Sequence, residues 1–325
     1  MAKKTSIGGQ AVIEGIMMKG PQKTALAVRI PDGSIDIEYI KEKHLKDKCK
    51  FWGLPIIRGI VNFIESMVTG YGAMMKSAEK SGFADLEEQE EAEKREQKGK
   101  PPKENKESSV FMTVLLVVAS VLGVALGVFL FMYLPALAFD LINRLTGNAI
   151  SELKAVFEGV IKIAIFLVYM ILVSKMKDIK RVFMYHGAEH KTIFCYEAGE
   201  ELTVENVRKN SRFHPRCGTS FMILMLFVGI AIGILLTALF PSLTNSKYRL
   251  LWVLVKILIL PLICGVGYEL LKICGRHDNR FTRAVSAPGM WMQRITTEEP
   301  EDSMIEVAIE SLKAVLPDNP EEDEW

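Results

Sequence analysis

Residues 220 to 240 read "SFMILMLFVGIAIGILLTALF", twenty-one positions without a single formal charge. A helix of about 20 such residues spans the hydrocarbon core of a bilayer, and no soluble core needs so long a run that is apolar all round. Three further runs share this character: Val110 to Phe139, Ala155 to Val173 and Leu250 to Leu271. The apolar residues, 49% of the 325, are therefore gathered in blocks and not spread through soluble domains. The fold class expected is a mainly α, polytopic membrane protein with four transmembrane helices.

Short loops rich in lysine and arginine stay in the cytoplasm. The segment between the second and third runs carries nine such residues from Lys175 to Arg216, whereas the loops after the first and third runs hold only Arg144, Lys154, Lys247 and Arg249. Both termini and the central loop are expected on the cytoplasmic side, as an even number of spans requires. The start, "MAKKTSIGGQ", shows no apolar run of a cleaved secretory signal. A net charge of +1 gives no argument for direct nucleic-acid binding. Cys49, Cys195, Cys217, Cys264 and Cys274 form no C-x-x-C pair and lie on the reducing side of this topology, so no structural disulfide is expected.

Around the spans the chain changes register several times. Residues 1–50 form a cytoplasmic element: "ALAVRI-PDGS-IDIEYI" alternates about a Pro-Asp-Gly turn, as a β-hairpin does. Over 51–80, Ile56, Ile60, Phe63, Met67, Tyr71 and Met74 recur at helical spacing, with Arg58, Asn62 and Glu65 on another side. That pattern predicts an amphipathic helix lying on the membrane with its polar face solvated. Residues 81–109 include "EEQEEAEKREQKGKPPKENKESS", too charged to bury a core, hence a flexible linker. The spans of 110–173 and 220–271 flank a cytoplasmic loop, 174–219. Residues 272–325 form a cytoplasmic tail in which Ile305, Ala308, Ile309 and Leu312 mark one more amphipathic helix.

The loop holds the chemistry. "YHGAEHKTIFCYE", residues 185–197, contains H-x-x-E-H. On a helix His186 and His190, four apart, share a face and can offer two nitrogens to one divalent ion, with Glu189 beside them as general base toward a metal-bound water. The competing reading is two buried histidines hydrogen-bonded to neighbours, pinning the loop in place. A metal site needs further ligands. The nearest candidates are His214 and Cys217 in "RFHPRCGTSF", and Glu269 at the cytoplasmic end of the fourth run. His277 and Asp278 fit a charged juxtamembrane segment better, and His44 a solvated one. Within the spans, Glu158, Lys162 and Lys256 fit an ion pair with a snorkelling lysine better than a transport path. No Walker loop, G-x-G-x-x-G or G-x-S-x-G is present, which removes nucleotide hydrolysis and the usual serine hydrolases.

Four stretches, "GGQAVIEGIMMKGP", "YHGAEHKTIFCYE", "LTVENVRKNSRFHPRCGTSF" and "APGMWMQRITTEEPEDSMIEVAI", together resemble the bacterial domain-of-unknown-function-1385 family across nearly the whole chain except the linker. The resemblance implies a metal-dependent protein of the bacterial inner membrane. Its label falls on His186, Glu189, His190, His214 and Cys217, with Glu14 and Glu205 as further polar residues of the motifs. It also implies partners in membrane or secretory protein biogenesis. Two functions stay open: a hydrolase in which His186, His190 and His214 surround a divalent metal, zinc, with Glu189 as general base, and a non-enzymatic scaffold or biogenesis factor that uses the same surface for docking.

Overall fold

The computed structural model describes residues 4–41, 49–83, 109–244, 248–277 and 279–323; His44, Asp278 and the linker from 84 to 108 lie outside these. The chain divides into two compact units. One draws on Met1–Asp85, Met170–Met225 and Cys264–Trp325, the other on Leu86–Tyr169 and Leu226–Ile263.

In the first unit, four strands, β1 (Gly8–Val12), β2 (Gly15–Lys19), β3 (Thr24–Arg29) and β4 (Ile35–Ile40), form an antiparallel meander in sequence order. The expected hairpin is the β3–β4 pair. Its turn works because Gly33 adopts φ +87° and the Asp32 carboxylate accepts from the Ser34 amide at 2.8 Å. The glycine-punctuated stretch before it supplies a second hairpin, in which Gly15 lets the Ala27 carbonyl approach where any Cβ would collide. "TALAVR" is apolar at nearly every position because β3 is covered on both faces.

Helix α1 (Ile57–Lys80) covers one face, where Ala73 packs with Val12, Met17, Leu26 and Val28. Ile16, Met18, Ala25 and Ala27 point the other way, into a core with Tyr185, Ala188, Met304, Ile305, Ala308 and Leu312. Each large aliphatic side chain buried there contributes about 1.5–3 kcal/mol relative to exposure.

The two edges of α1 are used differently from the expectation of a solvated polar face. Arg58 Nε donates to Glu269 Oε1 at 2.6 Å and its Nη2 to Oε2, while Asn62 donates to the Tyr268 hydroxyl at 2.8 Å. The polar edge is satisfied by protein, and Ile64, Met67, Val68, Tyr71 and Met75 are the exposed stripe, each more than half accessible. Lys80 closes the far end of the helix on Asp36 (2.5 Å) and Glu38 (2.7 Å) of β4.

Past residue 108 the chain is helical. In order come α2 (Ser109–Val128), a π-helical turn (Phe129–Tyr133), α3 (Leu134–Leu145), α4 (Lys154–Val173), α5 (Lys177–Glu197), α6 (Val204–Lys209), α7 (Gly218–Leu239), α8 (Arg249–Arg276), α9 (Arg280–Thr296) and α10 (Asp302–Val315). Four stretches are long and apolar enough to cross a membrane: Val118–Leu145, Ser151–Val173, Gly218–Leu239 and Leu250–Arg276. They match the four runs read from sequence, the first of which, Val110 to Phe139, lies within the helical stretch from Ser109 to Leu145. The protein is thus mainly α with a small β element.

Within the second unit the charges of the apolar helices pair. Lys256 reaches Glu158 at 2.5 Å and lies 5.2 Å from the centre of the Trp252 ring. This is the ion pair anticipated from Glu158, Lys162 and Lys256.

Candidate functional site

Helix α5 positions the H-x-x-E-H motif. From Tyr185 to Ile193 it is buried at every position but the half-buried His186, because β1, β2, α6 and α10 surround it. Burial leaves each imidazole few choices of partner. His186 Nδ1 lies 2.8 Å from the Thr296 carbonyl and His190 Nδ1 lies 2.5 Å from the Arg212 carbonyl. A carbonyl only accepts, so both Nδ1 atoms carry the proton and both Nε2 atoms present lone pairs. Backbone carbonyls orient metal-binding histidines in this way.

The two Nε2 atoms converge with a thiol. His186 Nε2 is 3.1 Å from Cys217 Sγ, and one donor atom each from His186, His190 and Cys217 all fall within 4.8 Å of one another. A tetrahedral ion with bonds of about 2.0–2.3 Å sets its donors roughly 3.3–3.7 Å apart, which these side chains reach with small adjustments. His190 Nε2 is buried with no hydrogen-bond partner among the described residues. Such an atom costs about 1–3 kcal/mol unless something binds it. Cys217 stands immediately before α7, and the Thr219 amide of its first turn donates to Sγ at 3.4 Å.

Glu189 is beside this group but outside the convergent set. Its Oε1 accepts from the Gly9 amide at 2.9 Å, and its Oε2 is buried without a partner among the described residues. Burial pushes the carboxyl above the usual glutamate range, with His186 and the Gly9 N–H opposing. Gly9 is required by the approach: a Cβ there would sit 2.9 Å from both Glu189 Cδ and Met18 Sδ. The Gly-Gly-Gln segment of β1 thus reaches the motif directly.

The remaining sequence candidates serve other contacts. His214 turns its Nε2 toward Glu197 (3.7 Å), while its backbone is clamped both ways by Gln293, whose Oε1 accepts from the His214 N–H and whose Nε2 donates to the His214 carbonyl, each at 2.7 Å. Its ring centre lies 4.7 Å from that of Phe194, edge to face, and 5.5 Å from that of His190, tilted. Burial lowers its pKa, against the pull of Glu197. Glu269 is held by Arg58, Glu14 by Arg181 (2.5 Å and 2.6 Å), and Glu205 by Lys209 (3.0 Å). His277 is exposed. Sequence reasoning did not find the orienting carbonyls of Thr296 and Arg212 or the clamp from Gln293, since a carbonyl leaves no mark on residue type.

A family model described as a protein of unknown function, DUF1385, matches residues 54–318. The chain belongs to the DUF1385 family. The uncharacterized protein YqhQ of Bacillus subtilis (strain 168) is 34% identical over 310 residues, covering 95% of this chain and 92% of its own length. No solved structure matches. His186, Glu189, His190 and Cys217 lie inside the matched DUF1385 region, whereas β1, with Gly9, precedes it.

One residue of the motif is tied to its geometry by size. Gly187 faces the Glu298 carbonyl so closely that a Cβ would overlap it, and Glu298 N–H donates to Phe183 O at 2.9 Å. Gly187→Ala is expected to lever Thr296–Glu298 off α5 and cost about 1–3 kcal/mol. Thermal unfolding of the purified protein in detergent reads the loss. An unchanged midpoint would mean that this backbone contact carries no weight.

Proposed function

We propose that His186, His190 and Cys217 hold a divalent transition metal at the membrane–cytoplasm boundary, zinc by the two-nitrogen, one-sulfur donor set. The observation that carries the reading is the buried, unpartnered Nε2 of His190, aimed at the same point as His186 Nε2 and Cys217 Sγ. Three protein ligands leave a fourth position. A water there, with the free Oε2 of Glu189 as general base, is the arrangement of a metal-dependent hydrolase. Held by His186, His190 and Cys217, such an ion would supply Lewis-acid activation of a water, and the Glu189 carboxylate would be the group to take its proton.

A second reading is supported by the burial of His190, Glu189 and Cys217. An enclosed ion ties α5 to the start of α7 as a structural clamp, and the protein then acts as a scaffold or biogenesis factor. In both readings the four apolar helices cross the bacterial inner membrane, and the basic segment from Lys175 to Arg216 keeps the site and both termini in the cytoplasm.

Elemental analysis of the detergent-purified protein tests the site. About one zinc per chain is expected in the natural sequence and at least a tenfold loss in a His186→Ala/His190→Ala variant of matched folding. Metal-free protein from both, after reconstitution with several divalent ions, would return the histidines to hydrogen-bonding roles.

A further inference from the structure

The exposed stripe of α1 and its contacts with α8 point to a second membrane element. Gly59 meets Gly265 where neither tolerates a side chain: a Cβ on Gly59 would lie 3.0 Å from Gly265 Cα, and one on Gly265 would strike the Ile56 backbone. Backbones approach this closely where small residues pack helices in a membrane. Gly265 stands six residues before Leu271, the last residue of the fourth apolar run. At about 1.5 Å per residue that is roughly 9 Å along the helix, inside the end of a hydrocarbon core of about 30 Å. Phe63 touches a second apolar helix through its side chain, its ring 5.9 Å from that of Phe221, near the start of Gly218–Leu239.

The polar groups at this depth are all matched. Arg58 and Glu269 form a two-pronged ion pair, and Asn62 bonds Tyr268. Charges inside a bilayer persist when paired in this way. What faces outward is mainly apolar: Phe51, Trp52, Leu54 and Ile56 before and at the helix start, then Ile64, Met67, Val68 and Tyr71 along one side, with Lys50 and Ser66 exposed among them. The first cationic side chains beyond them on α1, Lys76 and Lys80, are committed to the sheet. The helix therefore has its dry end against the spans and its charged end against β4.

We infer that the segment from Phe51 and the first half of α1 enter the acyl-chain layer beside the fourth apolar helix, with Lys50 at the headgroup level, so that lipid covers the face running from Phe51 to Tyr71. The inference rests on reading the four apolar helices as spans, and differs from a helix lying flat on the surface. A flat helix would keep Arg58 and Asn62 in the headgroup water. Here they are used to grip α8. Ile56, with φ +69°, is the residue at which the chain turns into the helix.

The test uses the full chain in phospholipid vesicles with Trp252, Trp291 and Trp325 replaced by phenylalanine, leaving Trp52 as the reporter; Val68→Trp with Trp52→Phe in the same background repeats the reading farther along. Lipids brominated on the acyl chain are expected to quench both reporters, with little loss of emission in aqueous iodide. Stronger quenching by iodide than by bromine overturns the insertion. So does resistance to both, which would mean that protein, either a second copy or a partner, covers the face. Resistance to alkaline carbonate extraction reads the spans separately. A chain washed off the membrane fails the span reading, whereas one that stays but yields to iodide fails only the insertion of α1.

Discussion

If His186, His190 and Cys217 hold a metal ion as proposed, a strong chelator is expected to lower the thermal unfolding midpoint of the detergent-solubilised chain by roughly 8–16 °C. The estimate follows from linkage: an ion present at about a thousand times its Kd stabilises the folded state by about 4 kcal/mol. For a domain of 150–250 residues each kcal/mol moves the midpoint by about 2–4 °C. The structural reason is that His186 and His190 come from α5 and Cys217 from the residue before α7, so an ion held by all three would close a loop of about 30 residues. Without it, His190 Nε2 remains buried and unbonded. Re-addition of zinc should restore the midpoint in the natural protein and fail to do so in Cys217→Ala. Equal midpoints before and after chelation, with metal loss verified, would show that the three side chains need no ion to stay together.

Arg216→Ala is expected to destabilise the same unit by about 3–5 kcal/mol, because it leaves the Glu197 carboxylate buried without its cation. Arg216 Nη2 bonds Glu197 Oε1, His214 faces the carboxylate at 3.7 Å, and the Thr5 amide donates to it at 2.8 Å. Burial alone would raise the Glu197 pKa; the His214 imidazole, the Arg216 charge and the Thr5 N–H outweigh it and hold the value below the ordinary 4.5. A depressed folded value gives stability that is fully present above about pH 4.5 and is lost as pH falls through the folded pKa. In the variant the burial term meets less opposition, so loss of stability should begin at higher pH. Unfolding midpoints measured between pH 4 and 7 compare the two proteins. Parallel pH profiles would mean that Arg216 is not what keeps Glu197 ionised.

Some of this architecture is legible in the residues themselves. A span is a local property of about twenty side chains, and the turn at Pro31-Asp32-Gly33 is fixed by three residues, so both emerge from sequence with little help from distant contacts. The i, i+4 spacing of His186 and His190 likewise needs only a helix. The choice among third ligands does not. His214 and Cys217 are three residues apart, yet one turns toward Glu197 and the other toward His186 because Gln293, far along the chain, clamps the backbone of His214. Glu269 looked available at a helix end and is claimed by Arg58, a residue whose own pattern suggested water. The orientation of α1 was hidden for a related reason. Periodicity identifies its two sides but not which side meets lipid, when the polar one can be satisfied by another helix.

The sheet's core is completed by residues at the opposite end of the chain. Ser311 donates to the Ile16 carbonyl at 3.0 Å, Thr5 to the Asp323 carboxylate at 3.0 Å, and α10 supplies Met304, Ile305, Ala308 and Leu312 beneath β2 and β3. A ribosome makes these strands first and their cover last. At about 5–20 residues per second, the nascent meander waits on the order of 15–60 seconds for α10, while the four apolar helices are being threaded out. During that interval Ile16, Met18, Ala25 and Ala27 lack Met304, Ile305, Ala308 and Leu312, and until α5 is made they lack Tyr185 and Ala188 as well. Premature termination anywhere before residue 302 would thus leave an aggregation-prone strand surface at the start of the protein, and quality control could recognise an unfinished chain by its first forty residues.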